Sequence, residues 1–313
     1  MRIFPLLSAL CFPALALADT VQISGPQGPL EAAQITVDGA AHALVIIPGS
    51  GPTDRDGNSA QLGLTSDSYR LLAEGLAAQG VASLRIDKRG IFGSSAAIAD
   101  PNDVTIAAYA EDARRWVDDA ATLAPCVWLA GHSEGGLVAL LAATDPPEAL
   151  CGLILLATPG RPIGHLMLEQ MRANPMNATL MAEVTGLVAD LEAGQTRDPA
   201  TITPVLQPLL SAGLQRYMID LFSHDPAALG RQWPGPVLIV QGGADMQVRP
   251  LDADLLAEAM PQAERADLPG ATHMLKEDIP GQPYATYTDP NLPLYQGVLP
   301  AITGFLDRAT ARQ

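Results

Sequence analysis

Six consecutive residues, Gly131-His132-Ser133-Glu134-Gly135-Gly136, place one hydroxyl among glycines, directly after the apolar run CVWLA and directly before the helix-like pattern LVALLAAT. A serine on a sharp strand-to-helix turn projects its Oγ outward, and the small neighbours relieve the crowding that such a turn creates. A serine hydroxyl is a poor nucleophile until a base takes its proton, and the base must be held in the right tautomer by a carboxylate. The chain has five histidines, His42, His132, His165, His224 and His273. His273 follows the run ARADLPGATH and Asp245 follows VLIVQGGAD, each just past an apolar run late in the chain. Ser133, Asp245 and His273 therefore form the candidate set for nucleophilic acyl transfer.

A second stretch, ALVIIPGSGPTDRDGNSAQ over residues 43–61, is an apolar run that stops in Pro48-Gly49-Ser50-Gly51 and then turns charged. Small residues let main-chain N–H groups approach a ligand closely, which is what a developing oxyanion needs. One amide of such a site comes from the residue after the nucleophile, Glu134. The other comes from the PGSG loop, with Ser50 the first choice and Gly49 or Gly51 its neighbours.

These residues must be positioned by something rigid. Short apolar runs at 43–47, 81–86, 127–130, 153–157 and 237–240 alternate with amphipathic segments such as 69–79 and 107–123. Near-continuous hydrophobic strands separated by helices predict an α/β protein with a mostly parallel sheet flanked by helices. Residues 21–37 read as a β-hairpin leading into it. Residues 159–233 offer no strand but several Met- and Leu-rich helical patterns (Met167, Met171, Met176, Met181, Met218), and read as a helical cap or lid inserted between two parts of the core, 19–158 and 234–313. Methionine adapts to varied ligands, although core packing is the preferred reading of any single one of these.

With strand, elbow, acid and base in this order, the chain resembles the α/β-hydrolases of the serine-aminopeptidase and carboxylesterase-like group. IIPGSGPTDRDGN, LRIDKRGIFGSS, GHSEGG, LIVQGGAD and PGATH carry the resemblance across almost all of the sequence beyond the leader. The resemblance implies the α/β-hydrolase fold, a Ser133–His273–Asp245 triad acting without a cofactor or metal, and hydrolysis of a small-molecule ester or amide. The chain carries Pro48 where many members of the group have a histidine. A carboxylesterase for small to medium acyl chains is the first expectation. An aminopeptidase, or another amide, thioester or lactone hydrolase on the same triad, is the alternative; Glu169, Glu183, Asp190 and Glu192 are on hand to receive a free amine. A non-catalytic binding protein keeping the fold is the reading from a different class.

Other residues admit structural readings. Asp54-Arg55-Asp56-Gly57-Asn58 faintly resembles a calcium loop, but Ser59 stands where that motif wants glycine and Thr65 where it wants glutamate, so a turn is preferred. Asp87, among Arg85, Lys88 and Arg89, reads as one end of an ion pair. Glu134 suits the positive end of a helix, and His132 is expected to pack beneath the elbow. Tyr284, Tyr287 and Tyr295, in the tail between His273 and a final helix at 299–309, are candidates for the rim of the cleft.

Residues 1–18 have a basic start at Arg2, an apolar stretch and Ala16-Leu17-Ala18 before Asp19. They read as a secretory signal peptide cut after Ala18, giving a periplasmic or secreted protein. A formal net charge of −16 argues against nucleic acid and anionic membranes as partners, and no later segment is apolar enough for stable membrane insertion. Cys126 and Cys151 each begin an apolar run. In adjacent parallel strands their thiols would lie within bridging distance; two reduced buried thiols are the other reading.

Overall fold

The computed structural model describes residues 18–310, so the expected leader lies, save for Ala18, outside the described residues. In chain order the strands are β1 (Asp19–Ser24), β2 (Pro29–Ile35), β3 (His42–Ile47), β4 (Asn58–Ser59), β5 (Leu64–Thr65), β6 (Ala82–Ile86), β7 (Cys126–His132), β8 (Leu150–Leu156), β9 (Val237–Gly242) and β10 (Glu264–Leu268). Eight of them form one sheet in the order β1-β2-β6-β3-β7-β8-β9-β10, while β4 and β5 pair as a small separate hairpin. β1–β2 and β2–β6 are antiparallel, and every other neighbour in the large sheet is parallel.

The apolar runs form strands because both faces of the sheet are covered. Ala43, Val45, Ile47, Val127, Leu129, Leu153, Leu155 and Ile239 point into one buried layer, and Leu44, Ile46, Trp128, Ala130, Ile154, Leu156 and Val240 into the other. This is the two-residue alternation of a pleated strand, with hydrocarbon required on both sides. Each such Val, Leu or Ile contributes roughly 1.5–3 kcal/mol by leaving water. Helices Ile106–Ala120 and Glu134–Ala142 cover the first face, and helices Ser68–Ala77 and Val298–Thr310 cover the second. Trp128 packs edge-on against Phe305 and its Nε1 donates to His42 Nδ1 at 3.1 Å, which satisfies the indole N–H inside that layer.

Cys126 and Cys151 are joined by a disulfide with Cα atoms 5.5 Å apart at the starts of the paired strands β7 and β8. Between β8 and β9 the chain is helical: Ile163–Ala173, Met181–Glu192, Ala212–Ser223 and Pro226–Gly230, with short 3₁₀ turns. Among the described residues no helix is long and apolar enough to cross a membrane.

Candidate active site

Ser133 follows β7 at φ 53°, ψ −122°, a backbone conformation that L residues rarely adopt and that costs on the order of 1–3 kcal/mol. Its N–H donates to Leu156 O at 2.9 Å, and its carbonyl accepts from Gly136 N at 2.9 Å, so the turn is tied to β8 and to the helix it starts. Crowding explains the glycines. A Cβ on Gly131 would lie 2.2 Å from Gly135 O, and one on Gly135 would lie 2.3 Å from Ile47 O. The elbow therefore sits against the end of β3, where the PGSG loop begins.

His273 and Asp245 come from the loops after β10 and β9. His273 Nδ1 donates to Asp245 Oδ2 at 2.8 Å, and both side chains are almost wholly buried. Asp245 Oδ1 accepts from the N–H groups of Gln247 (2.7 Å) and Val248 (2.9 Å), which fixes the carboxylate independently of the histidine. Ser133 and His273 both line a cleft of about 880 Å³. This arrangement has the parts needed to activate a hydroxyl: an outward serine, an imidazole on the same cleft, and a carboxylate that sets the imidazole's tautomer.

His132 does more than fill space beneath the elbow. Its Nε2 donates to His273 O at 2.8 Å, so its Nδ1 must accept, here from the Tyr69 hydroxyl at 2.8 Å. The Tyr69 oxygen in turn accepts the Gly49 N–H at 3.1 Å. Burial, and next the neighbouring His273, hold the His132 pKa down to about 3, while burial pushes the Tyr69 phenol well above its ordinary range. Both groups stay neutral, and the chain of donors runs in one direction from the PGSG loop to the backbone of His273. Tyr69 carries no sequence signal for this role, being one apolar-face position of an amphipathic helix.

The Gly49 amide is thus engaged, which removes it from the oxyanion candidates. Ser50 lines the cleft and its N–H finds no partner among the described residues. Gly51 does not line the cleft. Glu134, like Gly51, is not among the residues that line the cleft; its N–H is the first of the amides at the start of the helix that follows Ser133.

The Glu134 carboxylate is not simply an acid at a helix N-terminus. It is buried, 1% exposed, and its Oε1 accepts from Lys88 Nζ at 3.0 Å. Lys88 therefore does not serve Asp87, whose partner is Arg55 at 2.7 Å. Arg85 pairs with Asp56 at 2.9 Å and Arg89 with Asp112 at 2.7 Å. The charged loop is thereby lashed to the end of β6. Asp54 closes the loop's turn by accepting from the N–H groups of Asp56 (2.9 Å) and Asn58 (2.8 Å). Among the described residues no cluster of three His, Cys, Asp or Glu side chains could hold a metal.

The cleft walls differ in part from expectation. Tyr284 and Tyr287 line the cleft, but Tyr295 packs under Gly270 and Gly297 beside the sheet. None of Met167, Met171, Met176, Met181 and Met218 reaches it; the lining methionines are Met246 and Met274, from the loops that carry the acid and the base. The helical segment contributes Gln170, Ala173, Asn174 and Pro175. Glu169 pairs with Arg161 and Arg249, Asp190 with Arg197, Glu183 accepts from Thr203 N, and Glu192 lies 3.7 Å from His165. No Asp, Glu, Lys or Arg lines the cleft among the described residues. His165 is exposed, and His224 lies 3.7 Å from Asp220, away from the cleft.

The sequence profile of the family described as serine aminopeptidase, S33, matches residues 62–279. The chain belongs to this family. It has the α/β-hydrolase fold. Esterase EstD of Thermotoga maritima is 27% identical over 216 residues, 68% of this chain; the match spans 48% of EstD, about half its length. Among solved structures, Est1E from Butyrivibrio proteoclasticus with ferulic acid bound is similar at a TM-score of 0.61 and 20% identity, over 93% of this chain and 99% of that one. A thermophilic esterase from Thermogutta terrifontis, with malate bound, gives 0.58 and 23% over the same shares, 93% and 99%. At those identities the two structures speak to the fold alone.

Proposed function

We propose that the chain is an exported serine hydrolase that cleaves carboxylic esters with small to medium acyl groups. The observation that carries this reading is the cleft itself: a strained Ser133 and an Asp245-held His273 share one concave surface on which, among the described residues, no Asp, Glu, Lys or Arg side chain lies. In this reading Ser133 Oγ attacks the acyl carbonyl while His273 Nε2 takes its proton. The N–H groups of Ser50 and Glu134 receive the oxyanion. His273 returns the proton to the departing alcohol, leaving an acyl-Ser133, and a water deprotonated by the same imidazole then releases the acid. Asp245 orients the imidazole and stabilises its charged form.

The family is named for aminopeptidases, which must receive a free ammonium group. A carboxylate in the cleft would serve that purpose, and the four acids expected there are engaged elsewhere. An ester with a neutral acyl group suits such walls better. The name of EstD points the same way. Residues 159–233 serve as a cap, since Gln170, Ala173, Asn174 and Pro175 form one wall. Export follows from the leader read at residues 1–18, and the Cys126–Cys151 disulfide suits an oxidising compartment.

The test is the initial rate on p-nitrophenyl esters from acetate to palmitate, with Ser133→Ala alongside and aminoacyl-anilides in parallel. A rate that peaks at short or middle chains and disappears in S133A is expected. Faster release from the anilides would move the assignment to an aminopeptidase, and ester cleavage that survives in S133A would remove Ser133 from the mechanism.

A further inference from the structure

The mechanism so far gives the buried cation Lys88 no task. Lys88, at the turn after β6, is 3% exposed. Its Nζ donates to Gly49 O at 2.7 Å and to Glu134 Oε1 at 3.0 Å, and it lies 5.1 Å from the centre of the Tyr109 ring. Burying an ammonium is expensive even when it is paired. The two residues it joins are the ones that flank the proposed oxyanion site.

Gly49 O and Ser50 N belong to the same peptide unit. A trans peptide is planar, with its C=O and N–H pointing in opposite directions, and the described chain has no cis bond. An ammonium fixed on Gly49 O therefore sets the direction in which the Ser50 N–H points, away from Lys88. It also polarises the unit, since hydrogen bonds to a charged group are stronger and neighbouring ones reinforce each other. At the other end of Gly49, the N–H is held by Tyr69. The second contact of Lys88 grips Glu134, whose own N–H is the other oxyanion donor.

We propose that Lys88 is a positioning residue for the oxyanion hole: it clamps the 49–50 peptide and Glu134 together, so that both amides converge on one point and the first is polarised by a fixed positive charge. The inference rests on the serine-hydrolase reading above. The clamp is set before substrate arrives, so it favours the charged tetrahedral state over the neutral ester. Its loss should reduce kcat more than it raises KM.

Lys88→Met alone leaves the Glu134 carboxylate buried and unpaired, so the informative variant is K88M/E134Q, which removes both charges and keeps the Glu134 main-chain amide. The control is R89M/D112N, which neutralises the neighbouring buried pair without touching the 49–50 peptide. With p-nitrophenyl butyrate, K88M/E134Q should lose about 10–100-fold in kcat, a part of the ~10²–10³ lost when a whole oxyanion donor is removed. Its KM should stay within about 2-fold, and its affinity for phenylboronic acid, which makes a tetrahedral adduct on the serine, should weaken in step with kcat. R89M/D112N should leave kcat within about 2-fold.

Wild-type kcat in a cooperatively folded K88M/E134Q overturns the proposal, and so does an equal loss in the control. Should K88M/E134Q fail to melt cooperatively, Lys88→Arg takes its place: about a 10-fold fall in kcat at constant KM is expected from the displaced donor, and an unchanged kcat overturns the clamp. If the wild type cleaves no ester at all, the esterase reading fails on its own. Phenylboronic acid affinity then still compares the oxyanion site of the two proteins, and equal affinity overturns the clamp.

Discussion

His132 should make the folded protein sensitive to mild acid. Its ring is 2% exposed, lies 4.6 Å from the His273 ring centre to centre, and can accept the Tyr69 hydrogen bond at Nδ1 only while neutral. In the unfolded chain the imidazole takes up a proton near its ordinary 6.5, whereas in the fold it resists until about 3. The unfolded state therefore binds more protons across that window, and stability rises with pH through it. The contribution is fully present above 6.5, falls as pH drops below 6.5, and levels off near 3. Between pH 8 and pH 5 the linkage relation gives a loss of about 2 kcal/mol from this one group. His132→Gln removes the titration while keeping an amide near the ring positions. It should be less stable than wild type at pH 8, because the Tyr69 and His273 contacts are imperfectly replaced. The measurement is urea unfolding of both proteins at pH 8 and pH 5, taking the difference of differences so that all other titrating groups cancel. Wild type should lose about 2 kcal/mol more than H132Q over this interval. Equal losses would show that His132 does not stay neutral in the fold, and the donor direction assigned from Gly49 to His273 would go with it.

Replacing both cysteines, C126S/C151S, opens a link whose ends are separated by 25 residues, and loop-closure entropy puts its contribution at about 3.5 kcal/mol. Thermal melting with and without reductant should reproduce that shift in wild type and leave the double variant unmoved. Asp245→Asn keeps the shape of the acid but reverses its hydrogen bond to His273 Nδ1, so kcat on p-nitrophenyl butyrate should fall by about 10³–10⁴-fold while the melting temperature changes little. A loss under about 10-fold would remove Asp245 from the mechanism.

The parallel strands were legible in the sequence because a strand buried on both faces has no freedom to be polar, so β3, β7, β8 and β9 read as unbroken apolar runs. Ser133, Asp245 and His273 stood out as candidates because few residue types can do such chemistry and each follows such a run. The supporting contacts were hidden for a physical reason. Tyr69 occupies an apolar-face position of an amphipathic helix, and nothing in that pattern tells a packed ring from one whose hydroxyl bridges an amide and an imidazole. Lys88 stands next to Asp87, and adjacency in sequence suggested a pair. At the end of a strand, however, consecutive side chains point in opposite directions, so Asp87 and Lys88 find partners on opposite sides. Met167, Met171 and Met218 pack against the core, because an amphipathic helix turns its apolar face inward, and the cleft is bordered instead by the polar Gln170 and Asn174.

The floor and the walls of the cleft are held by very different means. Ser133 and the PGSG loop hang from β7 and β3, whose ladder pairs Ile47 with Gly131 at the edge of the site. The side walls meet through side-chain bonds: Thr65 Oγ1 to Thr288 O at 2.8 Å, Gln170 Nε2 to Gln247 O at 3.0 Å beside the half-exposed Glu169–Arg249 pair, and Gln247 Nε2 to Tyr287 Oη at 3.0 Å. Each of those is worth roughly 0.5–1.5 kcal/mol, against the collective cohesion of a sheet. Warming the protein toward its melting point should therefore relax selectivity before it erodes chemistry, with bulkier acyl groups gaining admission while the reacting atoms keep their places. Discrimination between substrates and the power to turn them over are anchored in separate parts of this fold, and selection can adjust one while the other stands still.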